Sequence, residues 1–147
     1  MKVWAAVLIC MAMTGSAWAD GPGSGTGLQG DYEKVTPLLD TSRNIIGETL
    51  VYPDAGAAKV TSLIVTMEPG ETTGWHKHGV PIYGYILEGQ VTIDYGVHGK
   101  RSYQAGVAFM EAMDNWHDAL NDGDGPVRIL VVFMGAEGAQ NVIRKPD

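Results

Sequence analysis

The chain has a single cysteine among its 147 residues, Cys10, which lies in an apolar N-terminal run. If that run is removed as a targeting segment, the remaining protein has no thiol. A stabilising disulfide is then excluded, even in an oxidising compartment. Leu8 and Ile9 precede Cys10. Because a small residue is expected before a lipidated cysteine, lipid attachment is disfavoured.

The sequence also lacks an apolar run long enough to span a bilayer as a stable helix. Val3–Met13 is apolar but short, Lys2 precedes it, and Ala17-Trp18-Ala19 has the small-x-small pattern of a cleavage site. These features predict a signal peptide at residues 1–19, a mature chain that begins at Asp20, and a periplasmic or secreted location. The short run disfavours the alternative, a retained membrane anchor, so the mature protein is expected to have no membrane partner.

Basic residues are scarce. The chain has 10 basic and 17 acidic residues and a formal charge of −7, which becomes −8 when the segment containing Lys2 is removed. No basic run or stripe is present. Binding to nucleic acid or to anionic lipid is therefore disfavoured.

No long stretch of the chain shows a helical period. Residues 20–34 are rich in glycine and poor in large apolar side chains, which predicts a flexible leader. Residues 35–147 contain short β-prone segments separated by glycine and proline turns, which predicts one all-β domain, a sandwich or a small barrel. The predicted strands are 49–52, 60–67, 83–87, 91–95, 101–104, 107–110 and 128–134.

Only four histidines are present, and three of them form a pattern that is typical of a metal site. His76 and His78 are two residues apart, so on a strand both imidazoles point to the same face. His117, from a neighbouring strand, would complete half of a coordination shell and leave the other positions open to water or substrate. The alternative is a cluster of neutral histidines in a barrel without a metal.

The residues around these histidines resemble the two motifs of the cupin family. Gly70 is followed after five residues by His76-Lys77-His78, and Tyr85–Gly89 resembles the end of the first motif. Gly106, His117 and Asn121 stand at the offsets of the second motif. The resemblance implies a single cupin barrel, which is a jelly-roll β-sandwich, over residues 35–147.

The sequence departs from the cupin pattern at the fourth metal ligand. Ile82 stands where the motif glutamate is expected, or Tyr83 if the longer spacing is used. Two interpretations remain open. The site has three histidines alone, like the cupin-type thiol and diketone dioxygenases, or Glu111 joins it from the second-motif strand. Glu111 lies between apolar residues, where a charge is costly unless it is paired, although a surface carboxylate at a strand end is a common outcome.

The resemblance implies a divalent metal cofactor, and the sequence does not distinguish Fe, Mn, Ni, Zn and Cu. A metal held by three histidines, with open coordination positions, favours a small exported metal-dependent oxygenase that acts on a small anionic substrate. The alternative is a non-catalytic module that binds a small molecule or a metal. The resemblance also implies a homodimer.

Four other residues are expected to have structural roles. His98 lies in a turn and is predicted to be exposed and inert, while Asn121 is predicted to cap a turn. Trp75 and Trp116 each precede a candidate ligand, so on a strand they would face away from the metal.

Overall fold

The computed structural model describes residues 34–146, and a compact unit begins at Thr36. The predicted signal peptide and the predicted leader, apart from Lys34, lie outside the described residues. Within residues 34–146, no helix has the length and apolar character needed to cross a membrane.

The regular secondary structure of the described domain is almost entirely β-strand, as the sequence predicts. Six of the predicted strands are present with ends shifted by one or two residues. The strands are β1 (Ala58–Met67), β2 (His76–Lys77), β3 (Ile82–Glu88), β4 (Gln90–Asp94), β5 (Lys100–Gln104), β6 (Ala108–Met110), β7 (Asp118–Leu120), β8 (Val127–Ala136) and β9 (Ile143–Arg144). One turn of 3₁₀ helix, Gly96–His98, connects β4 to β5.

Seven of the nine described strands form two antiparallel sheets with the core between them, and the other two pair with each other. One sheet has four strands in the order β1-β8-β3-β6, and the other has three in the order β5-β4-β7. Strand β2 pairs with β9, and the single bridges Thr72–Leu120 and His76–His117 connect the β2 segment to β7. Non-consecutive neighbours in both sheets and the absence of any described α-helix confirm the predicted jelly-roll β-sandwich.

The core between the sheets consists of inward-facing side chains, which alternate with outward-facing ones along each strand. In β4, Val91 and Ile93 are buried, while Thr92 and Asp94 on the opposite face are half-buried. The same alternation appears in β3, whose inward side chains meet those of β8. The main cluster includes Met67, Ile86, Val91, Ile93, Tyr103, Phe109, Val127 and Ile129.

The predicted strand at residues 49–52 is wrong. Thr49 takes part only in a single bridge with Arg43. The intervening loop is closed by Asn44, whose Oδ1 accepts hydrogen bonds from the backbone N–H groups of Ile46 and Glu48 at 3.2 and 2.9 Å. Local side-chain bonding of this kind competes with sheet pairing, and therefore the β-prone residues that follow have no strand partner.

Candidate metal centre

Backbone pairing brings the three candidate ligands together. His76 and His117 are direct antiparallel partners, and each N–H donates to the other's carbonyl at 2.9 Å. Partners that face each other across a sheet point their side chains to the same face. His78, two residues after His76, shares that face. Strand alternation and one cross-strand bridge therefore determine the site.

The three imidazoles converge as predicted. One ring nitrogen from each of His76, His78 and His117 lies within 4.8 Å of the others, and all three residues are buried. The ring centroids are 4.5–4.9 Å apart. Among residues 34–146 this is the only such group of histidine, cysteine or carboxylate side chains.

The outer nitrogen of each ring is bound to a backbone carbonyl. His76 Nδ1 donates to Gly74 O at 2.8 Å, His78 Nδ1 to Asn141 O at 2.9 Å, and His117 Nδ1 to Asn115 O at 2.9 Å. A carbonyl oxygen only accepts, so each Nδ1 carries the proton. In a neutral ring Nε2 then presents a lone pair, as in metal-binding histidines.

This donor set matches a divalent metal. His78 Nε2 and His117 Nε2 are 3.2 Å apart. Two neighbouring ligands at metal–nitrogen distances of about 2.0–2.1 Å are separated by about 2.8–3.0 Å in octahedral geometry and about 3.3–3.4 Å in tetrahedral geometry. Two lone pairs at this distance repel each other unless a cation lies between them. The three histidines therefore support a divalent metal cofactor.

Burial keeps the rings in the form that binds metal. Burial, together with the neighbouring His117, lowers the pKa of His78 to about 3. Burial also lowers the pKa values of His76 and His117. Because metal ligands must be deprotonated, a low pKa means that a metal competes with protons only under acidic conditions.

The three rings line a cavity of about 550 Å³ between the two sheets. This volume lies in the range of small-molecule sites. Most of the lining is apolar and comes from both sheets. It includes Leu63, Met67, Ile93, Phe109, Ile129 and Phe133.

Glu111 lies inside the protein and lines the same cavity. It is 6% exposed, so the alternative of a surface carboxylate is wrong. Its Oε1 accepts a hydrogen bond from the Ala112 N–H at 2.7 Å. Burial raises its pKa to about 7, and the Ala112 N–H hydrogen bond and the nearby Tyr95 hydroxyl oppose that rise. Glu111 is outside the compact donor group, and its role toward the metal stays a prediction.

Two buried tyrosines extend the polar environment of Glu111. The Tyr95 side chain lies near the Glu111 carboxyl, and its hydroxyl lies 3.2 Å from the Tyr103 hydroxyl. Burial raises the pKa of Tyr103 to about 12 and also raises the pKa of Tyr95. Sequence analysis missed this group. The inward positions of Val91 and Ile93 on the same strand indicate that Tyr95 is buried, but not which partner its hydroxyl meets.

Three other residues singled out by the sequence have defined positions in the structure. Ile82 is buried in the cavity wall, so the usual fourth-ligand position is apolar. Asn121 fixes a turn, as predicted, because its Nδ2 donates to Gly125 O and its Oδ1 accepts from the Gly123 N–H. His98 is exposed.

The two tryptophans lie outside the cavity, as predicted. The Lys145 ammonium lies 5.4 Å from the centre of the Trp75 ring, and the Lys77 ammonium lies 5.2 Å from that of Trp116. Neither tryptophan contributes to the cavity lining. Their role is packing against cationic side chains.

Comparison with known proteins agrees with this architecture. Residues 63–133 match the family model described as "Cupin domain". A structure of Lactobacillus farciminis oxalate decarboxylase is 22% identical, with a TM-score of 0.50 over 58% of this chain and 26% of that chain. Bacillus subtilis oxalate decarboxylase, a protein with Mn(II) centres, is 26% identical, with a TM-score of 0.47 over 58% of this chain and 23% of that chain.

The matched region spans about a quarter of the length of these decarboxylases. At 22% identity the first likeness shows the fold alone. No curated protein sequence matches the chain significantly. The β-sandwich and the family match over residues 63–133 agree with the cupin fold that the sequence motifs imply.

Proposed function

We propose that this protein is an exported metal-dependent oxygenase that acts on a small anionic molecule. The observation that carries the proposal is the position of the three Nε2 atoms beside an apolar cavity. His76, His78 and His117 would hold the metal. Three ligands on one side leave the other coordination positions open to the cavity. A bound redox-active divalent metal would supply Lewis acidity and electron transfer to O₂.

The side chains of the cavity have separate tasks in this proposal. The apolar walls exclude water around the reacting groups. Burial raises the pKa of Glu111 to about 7, so this carboxyl titrates near neutral pH. A carboxyl group with such a pKa can hold a proton or release it beside a bound molecule. The Ala112 N–H fixes its position through a hydrogen bond to Oε1.

Oxygen consumption tests this proposal. Protein loaded separately with Fe, Mn and Ni is incubated with small carboxylates, thiols and diketones in an oxygen electrode. We expect O₂ uptake with at least one metal and one substrate class, and we expect the His117→Ala variant to lose it. The His98→Ala variant serves as the control because His98 is exposed and outside the site.

A non-catalytic binding module is the alternative outcome. Ligand would then raise the melting temperature by mass action, while O₂ uptake would stay at the level of the His117→Ala variant. That result would reject the oxygenase and retain the metal site.

We further propose that the protein is a homodimer. Among the described strands, β1 lies at a sheet edge with β8 as its only neighbour. Val60 and Ile64 on β1 are 67% and 48% exposed. A long apolar edge strand tends to pair with another chain unless it is covered or charged. Light scattering should give a dimer mass for the protein and a monomer mass for a Val60→Lys, Ile64→Lys variant. A monomeric parent protein would reject the homodimer.

A further inference from the structure

A cationic side chain lies beside the three histidines. In the pairing of β2 with β9, Arg144 is the direct partner of His76. His117 is the partner of His76 on its other side. Direct partners in antiparallel strands have Cβ atoms about 4.5–5.5 Å apart and point to the same face. Arg144 accordingly contributes to the lining of the cavity.

The Arg144 side chain is held in place from a second segment. Its Nη1 donates to the Thr73 carbonyl. Thr73 is itself fixed to β7, because its N–H donates to Ala119 O at 2.9 Å and its Oγ1 accepts from the Ala119 N–H at 3.0 Å. The guanidinium is therefore anchored at one nitrogen next to the metal site.

The rest of the Arg144 guanidinium has donors to offer a ligand. A guanidinium has five N–H donors, and Arg144 forms no ion pair with any residue from 34 to 146. The cavity lining contains two other charged residues. Glu71 is exposed and its Oε2 accepts the Glu68 N–H at 2.7 Å, while Glu111 is buried and bonded to Ala112.

The charges and the apolar walls together describe the ligand. A planar guanidinium is suited to bidentate binding of a carboxylate. The apolar walls favour a hydrocarbon body and disfavour a second charge, because a buried charge without a partner is costly. A small dianion such as oxalate would leave most of the 550 Å³ cavity unfilled.

We infer that Arg144 captures the carboxylate of the substrate and that the substrates are monocarboxylates with an apolar body. This inference rests on the proposed function in one respect, namely that the bound molecule is the substrate. Arg144 then determines specificity for the anionic group, and the walls of the cavity determine specificity for the hydrocarbon part.

Calorimetric titration tests the inference with three probes: hexanoate, its neutral analogue hexanamide, and oxalate. The metal content of each preparation is measured first. Arg144→Gln should weaken hexanoate binding about 10–100-fold, the size expected for loss of a hydrogen bond to a charged group. Arg144→Lys should lose less, because it keeps the charge without the planar fork. Hexanamide should bind more weakly than hexanoate to the parent protein and be insensitive to Arg144→Gln.

Arg128→Gln is the matched control. Arg128 lies on β8, its side chain is 46% exposed, and it does not line the cavity. This variant should bind hexanoate like the parent protein. Four results would overturn the inference: no hexanoate binding, equal hexanoate affinity in Arg144→Gln and the parent, equal affinity for hexanamide and hexanoate, or tighter binding of oxalate than of hexanoate.

The same measurements separate this inference from the proposed function. In one case, hexanoate binding depends on Arg144, but the protein contains no metal and consumes no O₂. That result would reject the oxygenase and support carboxylate capture. In the opposite case, the protein contains metal and consumes O₂, but Arg144→Gln binds hexanoate as tightly as the parent. That result would support the oxygenase and reject carboxylate capture.

Discussion

His78 Nε2 and His117 Nε2 face each other at 3.2 Å. The Nδ1–H group of each ring donates a hydrogen bond to a backbone carbonyl. Both inner nitrogens of the neutral rings are therefore acceptors. The backbone forces this arrangement, because the two rings belong to segments joined by main-chain hydrogen bonds. A cation between the nitrogens converts a repulsive contact into a stabilising one.

The stability of the metal-free protein should depend on pH through the histidines. Burial lowers the pKa of His78 from 6.5 to about 3 and also lowers the pKa values of His76 and His117. As the pH falls below 6.5, the unfolded chain takes up protons that the folded protein does not, so the free energy of unfolding decreases. Urea unfolding at pH 8 and at pH 5 checks this, and equal stability at both values would contradict it.

Glu111 should act in the opposite direction over part of this range. Its pKa is raised from 4.5 to about 7, so the folded protein holds a proton that the unfolded chain releases. As the pH rises from 4.5 to 7, this contribution to stability is lost. In metal-free protein, the stability of Glu111→Gln relative to the parent should therefore increase over this range and then level off. A difference that is constant with pH would contradict the assignment.

Glu111→Gln also tests the link between this carboxyl and the metal. The variant keeps the shape and removes the charge. We expect metal affinity to fall about 10–100-fold, the usual effect of losing an outer-sphere partner. Glu71→Gln is the control, because Glu71 also lines the cavity but is exposed. Equal affinity in Glu111→Gln and the parent would leave a site of three histidines alone.

Gly84 should be indispensable for packing of the four-stranded sheet. A Cβ at this position would lie 2.6 Å from the Phe109 ring, which stacks on Tyr103 with centroids 4.4 Å apart. Gly84→Ala should lower the free energy of unfolding by about 1–3 kcal/mol, as for other overpacked cores. Gly125→Ala is the control, since a Cβ there meets nothing within 4 Å. Equal stability of the two variants in urea unfolding would contradict this packing.

The sequence predicts most of the strands, and the shared face of His76 and His78, because both depend on local periodicity. The jelly-roll arrangement and the place of His117 in the site are implied instead by the resemblance to the cupin motifs. Alternation in β4 identifies its buried face, and the spacing of His76 and His78 places both on one side of a strand. Arg144 could not be found in this way. It lies in the two-residue strand β9, which is too short to show alternation, and only the pairing with His76 gives it a place in the site.

The position of Glu111 depends on tertiary structure. It follows the last residue of β6, and its side-chain direction is determined where the regular strand ends. Its N–H donates to Ile82 O at 2.9 Å, which continues the pairing with β3 beyond that strand and places the carboxyl on the cavity side. Local alternation does not predict such a continuation.

The predicted export can be tested directly. Mass spectrometry of the protein recovered from its native host should give a chain that begins at Asp20, after cleavage behind Ala17-Trp18-Ala19. A change of Ala17 and Ala19 to bulky residues should block processing, because the cleavage site requires small side chains. An intact chain that begins at Met1 and remains in the cytoplasm would contradict the proposed location.

The central claim is that His76, His78 and His117 hold one divalent metal ion. Elemental analysis of protein purified from its native compartment measures this directly. We expect about one ion per chain, as for a single site with three histidine ligands. We expect near-complete loss in His117→Ala and full retention in His98→Ala. Metal-free native protein, or equal metal content in His117→Ala and His98→Ala, would contradict the claim.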